Sequence, residues 1–221
     1  MKRDRKNFSA YLKELIVVVL GITIAFTLDN LAQLNKEDNE QTLYLESLSA
    51  DLKNDIDQLK SLRDSSNQIL RLTGEMFNFI YTNAPADSFT RQHVTSTYTT
   101  PYFSSNNGTY LALINSGDLK VLDDFELRQE IVALYSIEYD KILKSDEFIR
   151  ELTANRIYPY ILDEVSFHMR ENRIISAEPL KRNKAINLLG SYFNIMNARN
   201  IEYQTLIEHC ERVKGLISSQ L

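Results

Sequence analysis

The chain contains no Trp, one Cys, four Pro and six Gly among 221 residues. A single Cys excludes an intrachain disulfide scaffold, and so little Gly and Pro excludes collagen-like and low-complexity chains. A basic excess is also missing: 25 Lys and Arg stand against 30 Asp and Glu, a net charge of -5. General nucleic-acid binding needs a basic face, so no nucleic-acid partner is expected. With 43% hydrophobic and 25% charged residues, the composition supports a packed core and excludes wholesale disorder. The mean hydropathy of -0.30 is that of a soluble protein, but it averages two unlike parts.

The first part is apolar. Lys2, Arg3, Arg5 and Lys6 precede Leu15–Leu28, fourteen residues without a charge. Crossing a bilayer core of about 30 Å takes about 20 helical residues. The flanks supply the difference. Lys13 reaches the interface along its own stem, Phe8 and Tyr11 suit the headgroup zone, and Leu31, Ala32 and Leu34 extend the far end. Three readings fit such a segment: a retained signal anchor, a cleaved signal peptide, and a core helix of a soluble domain. No small-x-small cleavage site follows, which disfavours the second. Apolar residues on every face disfavour the third. The retained anchor is the expectation, with residues 1–10 as a basic tail, 11–34 as the span and 35–221 as the body.

Five of the basic residues lie before Leu15, and the next after the span is Lys36. The positive-inside rule then puts the tail in the cytoplasm and the body outside it. The first 34 residues hold five bases and three acids, so the body carries -7. Within the span, Gly21 and Ala25 form a small-xxx-small pair that permits close helix approach, and Thr23, Thr27 and Asn30 line a second stripe. The competing reading is that the Thr hydroxyls satisfy their own backbone. The bilayer itself and another membrane protein, or a second copy, are the expected partners.

The body reads as all-α, a helical bundle with long antiparallel helices. From Lys36 to Tyr81, Leu45, Leu48, Leu52, Ile56, Leu59, Leu62, Ile69, Met76 and Ile80 recur at spacings of mostly three or four. Acids and bases, among them Asp51, Lys53, Asp55, Asp57 and Lys60, fill the gaps. Nothing forces a break from the span, so a rod of about 70 residues is allowed. Thr82-Asn83-Ala84-Pro85 ends it. Ser88–Gly108 reads as loop, with Thr95–Thr100 strand-like in propensity but lacking a partner. Thr109–Asn115 is a short buried helix stopped by Ser116-Gly117-Asp118. Asp123 or Asp124 caps a long helix from Phe125 to about Tyr158, its stripe passing through Ile137 or Tyr139 and through Phe148 or Ile149. Pro159 kinks or ends that helix, Tyr160–Arg170 is helical, and Glu171–Pro179 connects to a last helix, Lys181–Ser218.

Two stretches carry a resemblance. Glu14-Leu15-Ile16-Val17-Val18-Val19-Leu20-Gly21-Ile22-Thr23-Ile24-Ala25, ending in Asp29-Asn30, resembles the anchor of a family of bacterial single-pass membrane proteins, domain of unknown function 6090. Thr109-Tyr110, Leu113, Ser116-Gly117, Leu119, Glu126-Leu127-Arg128, Ile131 and Tyr135 continue the likeness. This sequence has Leu31 where the family often has Trp. The resemblance implies a bacterial cytoplasmic-membrane location with the body periplasmic or otherwise extracytoplasmic. It implies no activity.

Chemistry is sparse. His93, His168 and His209 are far apart and no pair has ligand spacing; His93 reads as a loop residue and His209 as a surface one. Cys210 sits on the apolar stripe of the last helix, as a small core residue would. Neither a nucleophile elbow nor a phosphate loop occurs. No catalytic, metal or cofactor residues are expected. Tyr98, Tyr102 and Tyr110 in the Tyr-rich loop are the ligand candidates, the competing reading being that they pack over the bundle. The expectation is a non-enzymatic module acting through protein contacts, as scaffold or accessory subunit. The alternatives are a small-ligand sensor or an envelope enzyme with a site under residues 95–110.

Overall fold

The computed structural model describes the backbone of residues 4–221 and the side chains of residues 14–221. The tail residues Lys2, Arg3, Arg5 and Lys6, with Phe8, Tyr11 and Lys13, have side chains outside the described residues. Helix α1 is unbroken from Asp4 to Tyr81, 78 residues, about 117 Å long at 1.5 Å per residue. The other helices are α2 (Arg91–Thr95), α3 (Gly108–Ser116), α4 (Phe125–Ala133), α5 (Tyr139–Leu152), α6 (Tyr158–Glu164), α7 (Glu178–Lys181) and α8 (Asn183–Ser218). Among the described residues there is no extended strand, only two isolated bridges. The chain is all-α.

Helices α1 and α8 are antiparallel. Lys60 meets Glu211 at 2.8 Å, Arg63 meets Gln204 at 2.6 Å, and Asn67 meets Asn200 at 2.9 Å. As numbers rise on one helix they fall on the other. All nine apolar positions predicted for the α1 stripe are buried. They divide between two apolar cores. One gathers Leu45–Leu62 with Leu113, Ile131, Tyr139, Ile207 and Val213; the other gathers Ile69–Ile80 with Phe89, Ile149, Ile161, Leu189 and Met196.

Local sequence accounts for the helix ends. Asn83 adopts φ 53° after α1, and Ala84 N–H returns to Phe79 O at 2.8 Å, so a left-handed residue closes the C-terminus. Gly117 does the same for α3 at φ 76°, a helix that buries Leu113 but exposes Leu111 and Ile114, against the expectation of a buried one. Asp124, rather than Asp123, caps α4 by accepting Leu127 N–H at 3.0 Å.

Three stretches differ from expectation. Helices α4, α5 and α6 form one rod joined by π turns at Leu134–Glu138 and Thr153–Ile157. Pro159 therefore neither ends nor isolates the helix, because the wider turn before it relaxes the backbone that its ring would crowd. The predicted helix Tyr160–Arg170 stops at Glu164. Beyond it a small hairpin forms, with His168 N–H on Arg173 O at 3.0 Å and Ile175 N–H on Ser166 O at 2.8 Å. Finally, Thr95 closes α2 and residues 96–100 form turns rather than a strand.

Candidate functional site

Two regions carry the sequence candidates: the apolar part of α1 and the loop between α2 and α3. Every side chain from Glu14 to Asn39 is exposed. Eighteen consecutive residues there reach a mean hydropathy of 2.2 with none buried. Among the described residues, one helix is thus long and apolar enough to cross a membrane. Thr23 Oγ1 donates to Val19 O and Thr27 Oγ1 to Thr23 O, both at 2.8 Å. Those hydroxyls are engaged within their own helix. A Cβ placed on Gly21 would meet nothing within 4 Å, and Ala25 and Asn30 are likewise exposed.

The loop is held by side chains acting on its main chain. Asp51, Asp55 and Gln58 lie four and three residues apart, on one face of α1. Asp51 accepts Thr109 N–H at 3.3 Å and its hydroxyl at 2.6 Å; Asp55 Oδ1 accepts Asn106 N–H at 2.8 Å and its amide at 2.7 Å; Gln58 accepts Ser104 N–H at 3.0 Å. The second Asp55 oxygen accepts Tyr139 Oη–H at 2.6 Å. Asp55 is fully buried, contrary to its reading as a gap-filling charge. A polar group so deep must be bonded throughout, and both of its oxygens are.

Between the two cores, Asp146 of α5 and Arg199 of α8 form a buried ion pair, Oδ1 to Nη2 at 2.6 Å. The other carboxylate oxygen accepts Phe103 N–H at 3.0 Å, and Arg199 Nη2 donates to Pro101 O at 2.8 Å. Burial pushes the Asp146 carboxyl above its ordinary range, against the pull of Arg199 and of the Phe103 N–H. Neither residue was picked out from the sequence. Each nevertheless stands at a stripe position: Asp146 four after Ile142 and three before Ile149, Arg199 three after Met196 and four before Tyr203. A charge at such a position is the signal that marks them.

The tyrosine candidates do not converge. Tyr98 lies 5.1 Å from the Tyr158 ring, and Tyr102 stands under Arg150 at 4.4 Å and Arg199 at 5.3 Å. Tyr110 packs on the other core, stacked on Tyr135 at 4.7 Å with its hydroxyl 2.8 Å from Ser136 Oγ. A groove of about 590 Å³ runs between α1 and residues 92–101. Ser65, Gln68, Gln92 and Thr95 border it, with Ile69 and Leu72 below, and none of the loop-holding carboxylates lines it.

Three groups stand in the order nucleophile, base, acid: Thr90 Oγ1 is 2.7 Å from His93 Nδ1, and Nε2 is 2.9 Å from Glu75. Thr90 N–H also donates to Nδ1 at 3.0 Å, and His93 N–H to Thr90 Oγ1 at 3.3 Å. A backbone N–H only donates, so neutral His93 carries its proton on Nε2, toward Glu75. The arrangement is a capping box with His at the third position, and it starts α2. His93 is accordingly a buried helical residue rather than a loop one. Cys210 lies 3.6 Å from Tyr139 Oη, and burial pushes its thiol up to about 12. His209 pairs with Glu130, which also binds Arg212. Among the described residues, no three His, Cys, Asp or Glu gather closely enough to hold a metal ion.

Fold and site define a class: an all-helical body whose spine continues into an uncovered apolar helix. The chain belongs to the family of unknown function DUF6090, which matches residues 14–159. That match covers the apolar run, α1 from Glu14 onward and the loop, and stops before α8, the helix against which α1 packs. No curated protein and no solved structure matches.

Proposed function

We propose that this chain is a single-pass membrane protein of a bacterial cytoplasmic membrane, its body extracytoplasmic, acting non-enzymatically through protein contacts. The observation that carries the reading is the 18-residue window of mean hydropathy 2.2 with none of it buried. So much apolar surface is stable only in lipid or against another helix. The Lys and Arg before Leu15 support a cytoplasmic tail. With Thr23 and Thr27 bonded to their own helix, Gly21 and Ala25 remain as the contact face toward another membrane protein or a second copy, while Asn30 offers a polar contact on the separate Thr stripe. The carboxylates below the loop each hold a main-chain N–H, which supports a structural role for them rather than a catalytic one. Crosslinking in intact membranes tests the reading. Wild type should form adducts within the bilayer, and Gly21→Leu with Ala25→Leu should lose them. Recovery of wild type in the soluble fraction, or unchanged adducts in the double variant, would overturn it.

A small-ligand sensor is the second reading, supported by the groove between α1 and residues 92–101. Its uncharged lining suits a neutral ligand, since a buried charge would find no counter-charge there.

A further inference from the structure

Helix α3 descends along α1, from Thr109 beside Asp51 to Asp118, whose carboxylate accepts Tyr44 Oη–H at 3.2 Å. The 3-10 turn Asp118–Val121 then continues toward the apolar run. It shares a groove of about 490 Å³ with Gln33, Leu34, Lys36, Glu37, Asp38, Glu40 and Gln41 of α1. A hydrocarbon core of about 30 Å takes about 20 residues of helix counted from Glu14, and so ends near residue 33. The headgroup layer adds roughly 5–8 Å, another four or five residues. Of the α1 residues that border this groove, Gln33, Leu34, Lys36, Glu37 and Asp38 therefore lie at headgroup depth, with Glu40 and Gln41 beyond it, as is Tyr44.

We infer that the Asp118–Val121 turn reaches the lipid headgroup layer at its lower edge and gives the body a second attachment to the membrane, beside the span. The inference rests on the membrane reading above. The groove carries Lys36 and Lys120 among the carboxylates Glu37, Asp38, Glu40, Asp118 and Asp123. The acids outnumber the lysines, and Lys36 lies 3.7 Å from Glu40; a zwitterionic headgroup fits such a mixture, its ammonium meeting the acids and its phosphate meeting Lys120. A purely anionic surface would be repelled. The occupant is thus a bilayer of phosphatidylethanolamine type. With the turn bound, the body stands on the membrane with no free stalk.

The chain supplies its own reporters. Cys210 is buried with its thiol pushed up to about 12, so a Cys introduced at Val121, which borders the groove without a charge, labels alone with a nitrobenzoxadiazole dye. Asp87→Cys, exposed in the turn beyond α1, is the control. The full chain is placed in phosphatidylethanolamine–phosphatidylcholine vesicles carrying a headgroup nitroxide lipid. The dye at 121 should lose most of its emission and the dye at 87 should keep it. Equal brightness at both sites would overturn the inference. Exchanging phosphatidylethanolamine for phosphatidylglycerol should restore emission at 121; undiminished quenching would overturn the zwitterion preference. Since the chain has no Trp, Phe26→Trp reports the span through quenching by brominated acyl chains. Quenched Trp with a bright dye at 121 sinks the headgroup contact alone. Unquenched Trp sinks the membrane reading and this inference together.

Discussion

Arg199 of α8 and Asp146 of α5 meet at 2.6 Å with side chains 1% and 4% exposed. They divide the two apolar cores and fix the loop at Pro101 O and Phe103 N–H. The guanidinium also lies 4.8 Å from the Tyr203 ring and 5.3 Å from that of Tyr102. Burying two charges costs several kcal/mol per ion, and mutual attraction returns this only while both are present.

Removing one partner should therefore be far worse than removing both. Arg199→Ala is expected to destabilise the fold by about 3–5 kcal/mol, by leaving Asp146 buried and unpaired. Arg199→Met combined with Asp146→Leu should recover most of that loss. Urea unfolding of the full chain in detergent micelles, followed by circular dichroism, measures both. A double variant no better than the single one would show that the pair acts through its loop bonds instead.

Asp55 makes a separate prediction, because its acceptors are used by the loop and by Tyr139 together. Asp55→Ala orphans the Asn106 N–H and the Tyr139 hydroxyl, at about 1–3 kcal/mol for each buried donor left unpaired. Asp55→Asn keeps one carbonyl for Asn106 and offers an N–H to the Tyr139 oxygen, so about half the damage is expected. Amide hydrogen exchange at Asn106 should accelerate strongly in Asp55→Ala and modestly in Asp55→Asn. Equal acceleration in the two variants would mean that charge, rather than hydrogen-bond capacity, holds the loop.

The bundle was legible in the sequence wherever a regular period ran through apolar residues. On α1 the spacing of three and four selects the core face unaided. On the second rod it leaves Ile137 or Tyr139, and Phe148 or Ile149, open. Tyr139 and Ile149 are the buried ones, while Ile137 and Phe148 are exposed. The π turn at Leu134–Glu138 is the reason: one extra residue rotates the following face by about a quarter turn. Asp55, Asp146 and Arg199 carry a signal, a charge at a stripe position, but what that charge does stays illegible until its partner is known. Those partners come from segments 43–98 residues away along the chain. The α2 cap escaped for a smaller reason, with His93 standing where a capping box usually has Glu or Gln.

That cap gives the pH dependence its sign. The bond from His93 holds the Glu75 carboxyl below its ordinary value of 4.5, with Arg71 adding to the effect. A lowered carboxylate binds its proton less readily in the folded chain than in the unfolded one. Its contribution is therefore complete above about pH 4.5 and is lost as the pH falls through the lowered folded value. Glu75→Gln should weaken the cap near neutral pH, and the difference from wild type should shrink as the solution is acidified below that ordinary value. Amide exchange at Thr90 and His93 reads the cap directly, since both N–H groups are bonded within it. Exchange in wild type should rise toward that of Glu75→Gln only on the acid side. A constant gap between the two proteins down to acid pH would mean that Glu75 supports α2 by packing and not by its charge.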